Sequence, residues 1–339
     1  HYPRPLLVLA MALLLIANTI NLGADLGAMA AALNLLLPGS LLFYTLAFGV
    51  LSVGLEVWIS YARYARILKW ATLSLLAYVL VPFVARIDWG AALRGLAMPA
   101  LPAGHDAAMA LVALLGTTIS PYLFFWQAGQ EVEEQHRTHA RPLGLFPRRA
   151  GEGLARIRLD TLVGMAVTHL TALAIVVATA ATLHAHGVTA ITSAAQAAEA
   201  LRPIAGDFTF ALFALGIIGT GLLAVPVLAG SAAYGLAETF GWNEGLDRPP
   251  HEARAFYTAI ALATLGGFLL NLIGIDPMRA LYWTAVINGL LAPPLMAMAL
   301  LLARNPHVMG RLAISRPLAL WGWVATLAMA GVGVLFLLS

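Results

Sequence analysis

The chain has 339 residues, of which 61% are hydrophobic and only 10% charged, and its mean hydropathy is +0.85. Soluble domains carry about 25% charged residues, so a water-soluble enzyme, a disordered chain and a nucleic-acid binder are all excluded. No cysteine is present, which removes disulfides, thiolate metal sites and thiol nucleophiles. What remains is an all-α polytopic membrane protein, in contact with lipid along most of its length.

A spanning helix needs about 20 mostly apolar residues, because the hydrocarbon core is roughly 30 Å thick. By that measure the sequence predicts nine spans, at 5–34, 40–61, 69–86, 107–135, 160–184, 208–238, 253–273, 277–302 and 317–338. None reads as a cleaved signal peptide, since the first is followed at once by others. The chain opens His1-Tyr2-Pro3-Arg4 without a Met, as a trimmed or partial N-terminus would. The net charge of +3 reflects topology. With the N-terminus inside, 15 of the 19 Lys and Arg residues fall on the inner side, Arg63, Arg66 and Lys69 among them. Arg86, Arg94, Arg202 and Arg279 are left outside, and so is the C-terminus. These assignments predict a cell-membrane protein with a cytoplasmic start. The inner loop 136–159, with His136, Arg137, His139, Arg141, Arg148 and Arg149, serves as a topological anchor and suits anionic lipid headgroups. The outer stretches 87–105 and 185–207, rich in Ala, Gly and Pro, are expected to carry short interfacial helices.

Ionisable and polar groups inside a span are costly and are the first candidates for function. In the first span Asn18, Asn21 and Asp25 fall within one helical sector. They read either as an interhelical hydrogen-bond seam or as a path for ions or protons, with Gly23 and Gly27 admitting a close neighbour. The fourth span holds Gly116-Thr117-Thr118-Ile119-Ser120-Pro121-Tyr122. Pro121 lacks an N–H and clashes with the carbonyl of Thr117, and it steers Ser120 away from helical geometry. An unwound stretch near mid-membrane is the prediction. Such backbone survives in a bilayer only where it is buried in protein or lines a cavity, and broken helices of this kind build ion sites in transporters. The plainer alternative is a proline kink satisfied by the Thr hydroxyls. Below it, Gln127, Gln130, Glu131 and Glu134 share a face that suits a water-filled vestibule for cations, or simply a solvated helix end. Lesser candidates are Glu56, His169, Thr220 and Asn288, the last ahead of Pro293-Pro294, while Asp276 is expected to cap the eighth helix. There is no HExxH, GxSxG or phosphate-binding glycine loop, so neither an enzyme nor a cofactor is expected.

The stretch 116–127, followed by Glu131-Val132-Glu133-Glu134, resembles the sixth helix of the natural resistance-associated macrophage protein (Nramp) metal-ion transporters, above all their bacterial Nramp-related branch. Stretches 215–226 and 280–289 are similar to that branch as well. The resemblance implies a LeuT-like fold of inverted five-helix repeats, with the nine spans standing as the family's third to eleventh. Residues 1–339 would then form one transporter domain. Within it, 1–105 would be the remainder of the first repeat, 106–303 the second repeat and 317–338 an extra C-terminal helix. The family's Asp-Pro-Gly-Asn motif is absent, so the resemblance implies a chain lacking two N-terminal helices and the ligands they bear.

The implied function is secondary transport of a divalent cation by alternating access, the ion being held at the break in 107–135. Thr117 would offer its carbonyl, Ser120 stands where the family has Met, and Tyr122 where it has a His linked to proton movement, with Gly116 and Pro121 forming the break. Asn18, Asn21, Asp25, Gln127, Gln130, Glu131 and Asn288 would line the ion pathway. An oxygen in place of a thioether shifts the expected cargo from iron and manganese towards magnesium, with manganese still accommodated. One carboxylate, Asp25, stands where the family's proton route has two, which weakens the case for proton symport. The rival expectations are a cation-coupled amino-acid or organic-solute permease of the same fold, with Tyr122, Phe124 and Phe125 as its apolar subsite, and a non-transporting remnant.

Overall fold

A computed structural model describes residues 2–59, 63, 66, 70, 73–84, 87–98, 104–137, 150–188, 190–246 and 248–339. Among them every regular element is a helix. In chain order these are α1 (Arg4–Asn34), α2 (Leu41–Trp58), α3 (Ala77–Val84), α4 (Trp89–Ala97), α5 (His105–Thr118), α6 (Tyr122–Arg137), α7 (Ala150–Thr182), α8 (Ala194–Glu199), α9 (Thr209–Phe240), α10 (Arg254–Asn271), α11 (Pro277–Arg304) and α12 (Arg316–Leu338). Their ends follow local chemistry. Ser40 caps α2 by accepting from the Phe43 N–H at 3.3 Å, and Ser193 caps α8 by accepting from Gln196 N–H. Asp276 caps α11 as expected, accepting from the N–H groups of Met278 and Arg279 at 2.9 and 3.1 Å.

Seven helical stretches among the described residues are long and apolar enough to cross a membrane, the broken pair α5–α6 counting as one. Two of the nine predicted spans are not among them. Helix α10 has 18 residues and carries Arg254 and Asn271 at its two ends, which lowers its apolarity, yet it packs within the bundle. The third span is described only in part, as a 3₁₀ turn Leu73–Leu76 running into α3; residues 69, 71, 72, 85 and 86 lie outside the described residues. So do His139, Arg141, Arg148 and Arg149 of the expected basic anchor loop. The stretches 87–105 and 185–207 both hold short helices: α4 in the first, and α8 with Arg202–Ala205 in the second.

Helix α1 is the axis of the bundle, packed against α2, α9, α10 and α11, with Leu22, Leu26 and Met29 fully buried. Lipid tails are as apolar as leucine, so helices in a bilayer associate through close fit and not by escape from water. Small residues supply that fit. A Cβ on Gly23 would stand 2.8 Å from the Gly267 carbonyl of α10, and one on Gly27 would stand 2.6 Å from Asn271 Oδ1. Asn271 in turn donates to the Gly23 carbonyl at 2.8 Å. Helix α5 lies on α11, α12 covers both, and α6 lies on α9. Helix α7 packs chiefly on α3 and is almost wholly outward-facing.

Candidate functional site

The fourth span is broken where its sequence requires. Helix α5 stops at Thr118, Ile119 turns to φ −123° and ψ 86°, and α6 begins at Tyr122. The last bond of α5 runs from Ile119 N–H to the Leu115 carbonyl at 2.9 Å, and the chain restarts with Leu123 N–H donating to Ser120 O at 3.1 Å. Pro121 has no N–H to return to the Thr117 carbonyl. The Thr117 and Thr118 hydroxyls donate to the carbonyls three residues back at 2.8 and 2.9 Å. They thereby do part of what the plainer kink reading required, but the helix is interrupted and not merely bent.

Ser120 is buried at 5% exposure, and its hydroxyl donates to the Gly116 carbonyl at 3.2 Å. The Tyr122 hydroxyl lies beside Ser120 and within electrostatic reach of Asp25 on α1. The structure thus gathers Ser120, Tyr122 and Asp25 around the break. Gly116 is what lets α5 press on α11: a Cβ there would collide with the Ala285 carbonyl and stand 2.5 Å from the Gly289 amide nitrogen. Thr117 lines a cavity of about 660 Å³ with Tyr78, Thr179 and Tyr282. No group of three or more His, Asp or Glu side chains among the described residues is close enough to hold a metal ion. An ion at the break would therefore meet carbonyl, hydroxyl and water oxygens, with the Asp25 carboxylate within electrostatic reach of Tyr122.

The stripe on α1 makes contacts between helices. Asn18 donates to Leu228 O at 3.0 Å and to Ser231 Oγ at 2.8 Å on α9. Asn21 and Asn288 exchange amide hydrogen bonds across the α1–α11 interface at 3.3 and 3.4 Å. Both geometries match the seam that the spacing allowed. On α6, Gln127 reaches Thr161 of α7 at 3.2 Å, and Glu131 accepts from Arg156 of α7 at 2.7 Å, with Glu134 4.0 Å from the same guanidinium. That polar face is therefore partly spoken for by α7. Gln130 turns the other way and donates to Tyr234 of α9 at 3.3 Å. Of the lesser candidates, Glu56 and Thr220 have buried oxygens with no partner among the described residues, whereas His169 is exposed and bonded to its own helix at Met165 O.

Glu133 was not singled out by helical-face arithmetic, and it is among the best-connected polar side chains of α6. Its carboxylate accepts from the Tyr234 hydroxyl and, at 2.6 Å, from the Leu246 N–H. The signal was present: Trp126, Gly129, Gln130 and Glu133 share a face by the same spacing rule, and Trp126 and Gly129 mark it as the buried one. Beside it opens a cavity of about 720 Å³ lined by Glu133, His136, Glu238, Glu244 and Arg248.

Across residues 1–339 the sequence matches the family described as natural resistance-associated macrophage protein-like, Nramp. The chain belongs to the Nramp family. Its curated Nramp relatives include a divalent metal cation transporter MntH of Caldanaerobacter subterraneus, 25% identical over 70% of this chain and 52% of the relative. The MntH of Yersinia enterocolitica is 24% identical over 78% of this chain and 59% of its own length, and that of Klebsiella pneumoniae is 26% identical over 68% and 51%. The chain spans about half the length of these relatives. A crystal structure of the Eremococcus coleocola manganese transporter, in complex with an aromatic bis-isothiourea substituted compound, superposes with a TM-score of 0.71 at 14% identity. That match takes in 100% of this chain and 72% of the other. The fold is therefore that of the Nramp transporters, LeuT-like and all-helical, as the resemblance implied. The relatives are named as transporters of divalent metal cations or of manganese, none of these as an enzyme.

Proposed function

We propose that this chain forms part of a secondary transporter for divalent metal cations, working by alternating access with the ion held at the break between α5 and α6. The observation that carries the reading is the interruption of a membrane-length helix at buried Ser120-Pro121, beside Tyr122 and Asp25. Irregular backbone at that depth is tolerated where it is protein-enclosed or lines a cavity, and Thr117 opens onto one. That curated relatives are named for divalent metal cation transport supports the same reading. In this assignment the Thr117 carbonyl, the Ser120 hydroxyl and Tyr122 are ligands, directly or through retained water. Asp25 sets the local charge, and residues of the longer protein complete the shell. Asn18, Asn21 and Asn288 hold the walls of the pathway, and Gln127, Gln130 and Glu131 line its inner end.

Oxygen donors without a thioether favour hard cations, so magnesium and manganese are the proposed cargo. Domain assignments follow the same lines: 1–105 to the first repeat, 106–303 to the second, 317–338 to an added helix, with the N-terminus cytoplasmic. The test is Ser120→Met in the full-length protein. Calorimetry with both metals should show manganese binding strengthened relative to magnesium, because a soft ligand is added. An unchanged preference would remove Ser120 from the ligand set.

A further inference from the structure

The inner half of the broken span is fastened at one place to a loop, and the fastening has the form of a releasable latch. Helix α6 lies on α9 through small residues and rings. Gly129 lets the Tyr234 ring sit where a Cβ would be 3.1 Å away, and Gly230 does the same for Trp126 at 2.5 Å. Tyr234 is 2% exposed, tilted against Phe256 of α10 at 4.9 Å between ring centres. Its hydroxyl projects from this apolar nest to Glu133, while Gln130 donates to that hydroxyl. The same Glu133 oxygen accepts the Leu246 N–H at 2.6 Å. From the far side, Tyr257 of α10 donates to the carbonyls of Leu246 and Arg248 at 3.3 and 3.0 Å. Leu246 and Arg248 thus mark a strap held at Leu246 by α6 on one flank and by α10 on the other, along the wall of the 720 Å³ cavity.

We propose that Glu133 is a positioning residue that latches the inner half of the broken span to the strap at Leu246, and that parting of this latch opens the inner mouth of the transporter. The inference rests on the alternating-access reading above. A carboxylate is suited to the task, since charge-assisted bonds to a hydroxyl and an N–H are strong and directional. Because Glu133 lines a cavity, water can replace both donors when the mouth opens, so release does not strand a buried charge. The ring contacts of Tyr234 keep α6 on α9 while the strap is free to leave.

These 339 residues contain no cysteine, so none of their side chains competes with an introduced thiol. Leu246→Cys places a reporter on the half-buried strap, and Ala198→Cys, fully buried on α8 outside the predicted spans, reports general loosening. Both are followed in reconstituted full-length protein with a membrane-impermeant maleimide supplied on both sides, and manganese uptake is measured in parallel. Glu133→Ala should speed labelling of the Leu246→Cys reporter by about tenfold and leave the Ala198→Cys reporter unchanged. It should also raise the KM for external manganese more than it alters kcat, because fewer carriers wait with the outer side open. Tyr234→Phe and Glu133→Gln, which keep the ring and an acceptor oxygen respectively, should give smaller changes of the same sign, and they carry the test should the Ala variant not fold. Labelling that stays constant at Leu246→Cys, or rises equally at both reporters, overturns the latch. Absent manganese uptake in the unsubstituted protein would sink the transport reading instead, and a selective rise at the strap would still establish the fastening.

Discussion

Asn21 and Asn288 sit 267 positions apart and give each other both amide hydrogen bonds inside the bundle. Either side chain alone would leave a buried amide without its partner, which costs more than the bond itself is worth. Interhelical polar pairs in membranes couple by about 0.6 kcal/mol on average and rarely above about 1.7. A double-mutant cycle of Asn21→Ala and Asn288→Ala, read by unfolding in mixed micelles, should return a coupling in that range. A value near zero would mean that the pair does not join α1 to α11. Glu244, in the loop beyond α9, makes the matching prediction in pH. Its burial, then the Glu238 and Glu133 carboxylates, push it from 4.5 up to about 7, with Arg248 opposing. The folded state therefore holds this proton more tightly than the unfolded chain does. The stability so contributed is full below pH 4.5 and is lost as pH rises to about 7. Glu244→Gln should accordingly gain Tm over the unsubstituted protein progressively across that window and stay level above it.

At the scale of an element, the break between α5 and α6 was legible because its causes are local. Pro121 removes one donor, Ser120 is disfavoured from helix, and Gly116 permits the close crossing whose partner, α11, the sequence did not name. Pro121→Ala should rejoin the two helices. Uptake should then fall by about tenfold, the factor that 1.4 kcal/mol makes, and full uptake would reduce the break to a structural kink. The polar face of α6 was legible as a face but not in its use. Glu131 and Gln127 turn to α7, while Glu133, off that face, fastens the strap. Spacing says which side chains lie together on a helix; it is silent about what lies opposite.

Over the whole molecule, nine spans followed from apolar length, and seven recur as membrane-length helices among the described residues. The positive-inside reading predicts that Asn243→Cys is labelled by an impermeant reagent from the side of the N-terminus and His186→Cys from the opposite side. The reverse pattern, or labelling of both from one side, would invert or break the proposed topology. What the amino-acid sequence determined alone was everything governed by local energetics in lipid. Helical spans arise because the backbone has no other partner there, their minimum length follows from bilayer thickness, and the interruption follows from a proline that cannot donate. What the tertiary structure decided was which polar groups meet: Asn18 with Ser231, Asn21 with Asn288, and Glu133 with Tyr234 and Leu246. Those meetings depend on helix crossings set by the placing of small residues on several helices at once, a property that belongs to no single stretch of chain.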